Sequence, residues 1–312
     1  MAIHDPMRSI YVFILLVLSL QAIAQEIRVK GVKKVMSEDN GTYLLSGVLP
    51  GSRWLLVTGE GYNGLSLLDT RKGRIRAISD GPGAGYEPAV TADGKKVFYR
   101  SDSFEDNRKY SSVYSFDVTT GETETIINRE RGLQPPAVSG NTLLLKSDRE
   151  TRFSRLSETV AVKGTGGDDF VVIEEMIPVL YRGGERKELM PNGEGFYIWA
   201  SLSPDRSMIL YNYQGRNTWI CDTSGKILHD VGRVNAPRWL DNRIVIGMDD
   251  RDDGHKITSS ELVYYSLPGK KRMLLTETEN RSEMYPFPFD GGNKIAFSTD
   301  KGEIWVMKIR VR

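Results

Sequence analysis

The chain is 312 residues long and nearly balanced in charge, with 42 Lys and Arg against 41 Asp and Glu and a formal net charge of +1. That balance argues against a nucleic-acid binder, which concentrates a basic patch or stripe. A single cysteine, Cys221, excludes an intramolecular disulfide, and a chain of this length can bury a sufficient core without one.

The first residues read as an export signal. Arg8 precedes an unbroken apolar stretch from Ile10 to Leu18, and Ala22-Ile23-Ala24 offers a small-residue cleavage site before Gln25. The apolar stretch is too short for a spanning helix, which needs roughly 18 or more apolar residues. The mature chain is therefore expected to start near Gln25 and to reach the periplasm or cell surface, with no membrane insertion.

Beyond Gln25, strand signals dominate. An extended run, Ile27-Arg-Val-Lys-Gly-Val-Lys-Lys-Val35, comes first. Short β-prone runs such as Trp54–Thr58, Leu65–Asp69, Val97–Arg100, Val113–Asp117 and Ile295–Ser298 follow, separated by turns such as Arg71-Lys-Gly73, Thr119-Thr-Gly121 and Asp222-Thr-Ser-Gly225. Grouped in fours, the runs give six units, at about 42–80, 84–129, 133–190, 195–231, 234–277 and 282–312.

A phrase recurs within these units: a proline-marked run, an Asp-Gly-type turn, a run ending near Ser-Asp, and a third apolar run. Its copies include Pro88-Ala-Val-Thr-Ala-Asp-Gly94, Leu202-Ser-Pro-Asp-Arg206 and Pro286-Phe-Pro-Phe-Asp-Gly-Gly292. Self-similarity at a spacing of roughly 40 residues predicts an all-β, six-bladed β-propeller of four-stranded antiparallel blades in one domain, 25–312. The last unit lacks a fourth strand, and an open ring would leave bare edges. Residues near 27–36 are expected to supply that strand and close the ring. The charged, glycine-rich stretch at 147–169 does not fit the rhythm and reads as an extended hairpin or flap.

The Asp-Gly-type turns, Ser203-Pro-Asp205, Met248-Asp-Asp-Arg-Asp-Asp-Gly254 and Ile295-Ala-Phe-Ser-Thr-Asp-Lys-Gly-Glu-Ile-Trp-Val-Met307 resemble the repeat of the TolB-type propeller family. The resemblance spans about 42–312 and implies a six-bladed ring. TolB itself carries an α/β domain ahead of its propeller, and the about 15–20 residues between Gln25 and Tyr43 cannot form one. A repeat of this kind specifies a fold rather than a function.

Motifs for chemistry are sparse. Gly59-Glu-Gly-Tyr-Asn-Gly64 matches a dinucleotide fingerprint, but a strand follows where a helix is required, so it reads as a hairpin turn. Asp249-Asp-Arg-Asp-Asp-Gly254 suggests calcium, yet His255 occupies the position that needs glycine, and a charged turn is expected. His255 has no nucleophile or second base placed beside it by the sequence, and no Gly-x-Ser-x-Gly elbow occurs. No cofactor and no metal are expected.

What is left is the channel mouth. The connection from each outer strand to the next inner strand runs along one rim, and prolines mark the strand entries. These place Tyr86, Glu87, Gln134, Tyr197, Trp199, Asn235, Glu283 and Tyr285 near that rim as candidate ligand-binding residues; no catalytic residue is assigned. Packing between blades accounts for Tyr197 and Trp199 on their own. The expected function is non-catalytic recognition of an envelope protein or peptide by a monomer. The alternative is a carbohydrate-active enzyme, a glycosidase or lyase, working through channel carboxylates.

Overall fold

Strands form where β-branched, aromatic and aliphatic residues run between tight turns. Trp54–Thr58, Met208–Tyr213, Ile244–Asp252 and Lys294–Thr299 are such runs. In a computed structural model the described residues are 25–37, 39, 41–51, 53–156 and 169–312, and they form seven separate antiparallel sheets. The predicted export signal and residues 157–168 of the charged stretch lie outside the described residues.

The sheets follow the chain: blade 1 at 44–79, blade 2 at 89–130, blade 3 at 137–155, blade 4 at 170–188, blade 5 at 197–232 and blade 6 at 235–274. Blade 7 is 283–311 together with Ile27–Met36. The fold is a β-propeller, but the expected six blades are corrected to seven. Among the described residues, blades 3 and 4 show three strands and the other five show four.

The correction falls on one place, because the long unit at 133–190 is two blades. In blade 4, Phe170–Glu174 and Ile177–Arg182 are joined through Glu175 and Met176, which hold left-handed φ of 47° and 67°. Such hairpins normally advertise themselves with Asn or Gly. Here two ordinary residues make the turn, and the sequence carries no mark of it.

Each central strand is flanked by two neighbouring blades and buried on both faces. Leu55 and Val57 face blade 7 while Leu56 faces blade 2. Ile209 and Tyr211 face blade 4 while Leu210 faces blade 6. A strand's period of two thus sends successive residues to opposite neighbours, which is why these strands are continuous apolar runs. Apolar clusters of this kind fill all seven junctions.

Ile27–Met36 pairs antiparallel with Ile304–Val311, from Ile27 opposite Val311 to Met36 opposite Ile304. The amino-terminal strand closes the ring as its sequence implies. Most of it is exposed, but both ends are anchored. Ile27 packs in the junction of blades 6 and 7, and Met36 in that of blades 7 and 1. The Gln25 amide also donates to Ser266 Oγ at 2.8 Å, tying the strand to blade 6.

Met36 is 2% exposed, so Met36→Ala should cost about 2–4 kcal/mol in urea denaturation, the usual range for truncating a core methionine. Val32→Ala on the same strand, 42% exposed, should stay within about 0.5 kcal/mol. Equal effects at the two positions would contradict closure by an anchored strand.

Candidate functional site

Inner strands line the channel, and most of them enter it irregularly. The pairing of the inner strand with the next one slips between Leu45 and Gly47 in blade 1, Ile198 and Ser201 in blade 5, Asn235 and Arg238 in blade 6, and Met284 and Phe287 in blade 7. Bulges of this type re-aim side chains and gather near sites. At the same level Glu87, Trp199, Ala236 and Tyr285 hold left-handed φ of 49°, 56°, 44° and 53°. Prolines directly follow Glu87, Ala236 and Tyr285, which restricts those residues further. Non-glycine residues in this region cost of order 1–3 kcal/mol each and persist only where the surroundings enforce them.

These residues border one opening. A cavity of about 450 Å³ is lined by Tyr62, Tyr86, Glu87, Trp199, Arg238 and Tyr285, over a wall that includes Leu44, Val48, Val90 and Phe287. A neighbouring cavity of about 540 Å³ shares Tyr86, Glu87 and Trp199 and adds Arg100, Gln134 and Lys146. Tyr62 meets Tyr86 edge-on with ring centres 5.0 Å apart. The Arg238 guanidinium lies 3.9 Å from the centre of the Phe287 ring, and that of Arg100 lies 5.8 Å from the Tyr86 ring.

Glu87 and Arg238 are both exposed to the channel, with many protein atoms crowded around each. Burial pushes the Glu87 carboxyl above the usual carboxylate range, and the Arg238 and Arg100 charges only partly oppose the rise. Burial likewise lowers the Arg238 guanidinium, against the pull of Glu87. No direct ion pair joins the two. The Glu87 charge is the first cause of the raised Tyr86 phenol, and burial followed by Glu87 raises Tyr62. Ser201 Oγ, closed off in the wall of the first cavity, makes no hydrogen bond, while Arg100 Nε ion-pairs with Asp102 Oδ1 at 3.3 Å and its Nη1 donates to the Leu133 carbonyl at 2.8 Å.

The residues singled out in the sequence therefore divide. Tyr86, Glu87, Trp199 and Tyr285 share the first cavity, and Gln134 lines the second. Asn235 is turned away: its Nδ2 donates to Asp250 Oδ1 at 2.6 Å, and its Oδ1 accepts from Asn212. Glu283 is 0% exposed and belongs to the interior. Arg281 Nε and Thr278 Oγ1 donate to its Oε1 at 2.8 and 2.9 Å, and Thr276 Oγ1 donates to its Oε2 at 3.2 Å. Tyr197 is also fully buried, packed on Tyr211 and Tyr213. Trp199, read as packing by its residue type, instead faces the cavity.

The remaining motifs resolve into turns. Glu60–Tyr62 is a single 3-10 turn between two strands, and it delivers Tyr62 to the channel mouth. Asp249 pairs with Arg272, and Asp253 accepts from the amides of His255 and Lys256 in a tight hairpin tip. No cluster of three or more His, Cys, Asp or Glu able to hold a metal occurs among the described residues.

No family model matches the sequence, and no curated protein matches it. In structure the chain is similar to an oligogalacturonate lyase in complex with manganese, with 13% identity and a TM-score of 0.47, covering 85% of this chain and 76% of that one. It is also similar to an oligogalacturonate lyase from Vibrio parahaemolyticus, with 14% identity and a TM-score of 0.45, covering 82% of this chain and 74% of that one. The likeness is one of propeller architecture.

Two outcomes follow from this geometry. Glu283→Ala strands the Arg281 charge, which is 21% exposed, and should cost about 3 kcal/mol or more by denaturant unfolding. Glu87→Gln should act through pH. As pH rises through the ordinary carboxylate range, the unfolded chain releases its proton while folded Glu87 retains it, so the wild type loses stability. The glutamine variant escapes that loss. Its melting temperature relative to wild type should therefore be higher at about pH 8 than at about pH 4, and a constant difference would contradict the raised carboxyl.

Proposed function

We propose that this chain is an exported, non-catalytic recognition module that takes an extended polypeptide at the channel mouth. One observation carries the reading: among residues lining the two cavities, Glu87 is the sole carboxylate, set among Tyr62, Tyr86, Trp199 and Tyr285. Glycosidase-type chemistry needs a second carboxyl group across the reacting bond. Rigid aromatic rings converging on a concavity suit binding, because they bury much area at little entropic cost.

The surroundings of the mouth suit a partner larger than a small molecule. In an antiparallel blade, the hairpin between second and third strands projects at the same end as the entry of the inner strand. Ala89 pairs with Phe98, so Arg100 stands level with Glu87, and the blade 2 hairpin runs on to Glu105 and Arg108. Phe104 near its tip is 69% exposed. In blade 6, Asn235 pairs with Met248 and the hairpin continues to Asp252 and Ile257. The mouth therefore lies between two raised walls, one carrying an unburied phenyl ring.

The test is retention of bead-displayed random peptides by wild type and by a Trp199→Ala, Tyr285→Ala variant whose melting is checked. The wild type should retain a sequence subset that the variant loses by about tenfold or more, as expected when central aromatic anchors are removed. Identical retention by both proteins would overturn the site. New reducing ends released from acidic polysaccharides, and abolished by Glu87→Gln, would overturn the non-catalytic reading.

A further inference from the structure

The wall of the first cavity combines apolar side chains with a few polar ones. Leu44, Val48, Val90 and Phe287 form much of it. Arg238 stands among them with its guanidinium on the Phe287 ring, and no hydrogen bond or ion pair from the described residues satisfies its donors. Arg238 is exposed to the channel rather than sealed from it, so its guanidinium is hydrated and its donors are free to meet an incoming anion. The Phe287 ring adds a modest cation–π contribution on one face.

We infer that this part of the channel is a seat for a carboxylate of the bound polypeptide, with the exposed, unpaired Arg238 as its counter-charge. The inference rests on the recognition reading above. A planar guanidinium matches a carboxylate with two parallel N–H···O bonds. Glu87 opposes the same occupant less than an ordinary carboxylate would, because crowding by the protein raises its carboxyl. A singly charged anion also balances one unpaired guanidinium, whereas a phosphate dianion would leave excess negative charge beside Glu87. The volume of about 450 Å³ admits the end of a chain or one acidic side chain.

Those two sources of carboxylate can be separated. Random peptide pools are synthesised with a free carboxyl terminus or a terminal amide, each with or without Asp and Glu, and offered to wild type, Arg238→Gln and Arg238→Lys. A terminal seat predicts that, in pools lacking Asp and Glu, the free acid is retained about tenfold or more over the amide. A side-chain seat predicts retention that follows Asp and Glu content whatever the terminus. Either preference should vanish in Arg238→Gln and survive only in part in Arg238→Lys, which keeps the charge but loses the fork. Equal retention of all four pools by wild type would overturn the carboxylate seat and leave peptide recognition standing. Retention of none would overturn both. Should Arg238→Gln fail to fold, Arg238→Lys decides alone, and an undiminished preference in it would overturn the assignment.

Discussion

The ring depends on one pairing between residues almost a whole chain apart. Ile27–Met36 lies along Ile304–Val311 and gives the last blade the strand that its own sequence lacks. Without it, the edge of Ile304–Val311 would be open to intermolecular pairing, and the apolar junctions on both sides of blade 7 would each lose an anchoring residue. The loop closed in this way is very long, but closure entropy grows only logarithmically with length. A modest strand with two buried ends can therefore hold the circle.

Closure fixes what the channel can be. Once seven sheets are packed face to face, their central strands must be apolar on both sides, and chemistry is displaced to the inner strands and the rim. The inner strands then show what the central ones cannot tolerate: slipped pairing, left-handed backbone at Glu87, Trp199, Ala236 and Tyr285, and two opposed charges without a direct bond. Strained backbone and slipped pairing thus meet at the channel mouth, and the junctions between blades hold them in place.

Much of this was legible in the residues, and the exceptions have physical causes. Repeats with Asp-Gly-type turns marked most of the blades, and the unpartnered run at Ile27–Val35 announced the closing strand. Blades 3 and 4 merged in the sequence because Glu175 and Met176 form a tight reversal without Gly or Asn. At the mouth, prolines after Glu87 and Tyr285 correctly marked strand entry. Glu283 misled because a carboxylate normally seeks water, and the sequence does not show that Arg281, Thr276 and Thr278 converge on it. Arg238 escaped notice for the opposite reason. A lone arginine between Pro237 and Trp239 looks like an ordinary surface charge until the inner strand turns it into the channel.

Glu87 and Glu283 show how little residue type decides by itself. Both carboxyls are raised by burial, and both have arginine in their surroundings. At Glu283 an arginine and two hydroxyls donate directly, so the group is complete and serves the fold. At Glu87 no such donors arrive, and Arg238, the charge that acts on it most, has no hydrogen-bond or ion-pair partner of its own among the described residues. A group whose hydrogen-bonding needs are met inside the protein has nothing to offer a partner, whereas one left incomplete at an opening does. Satisfaction, more than charge or burial, is what separates the two glutamates.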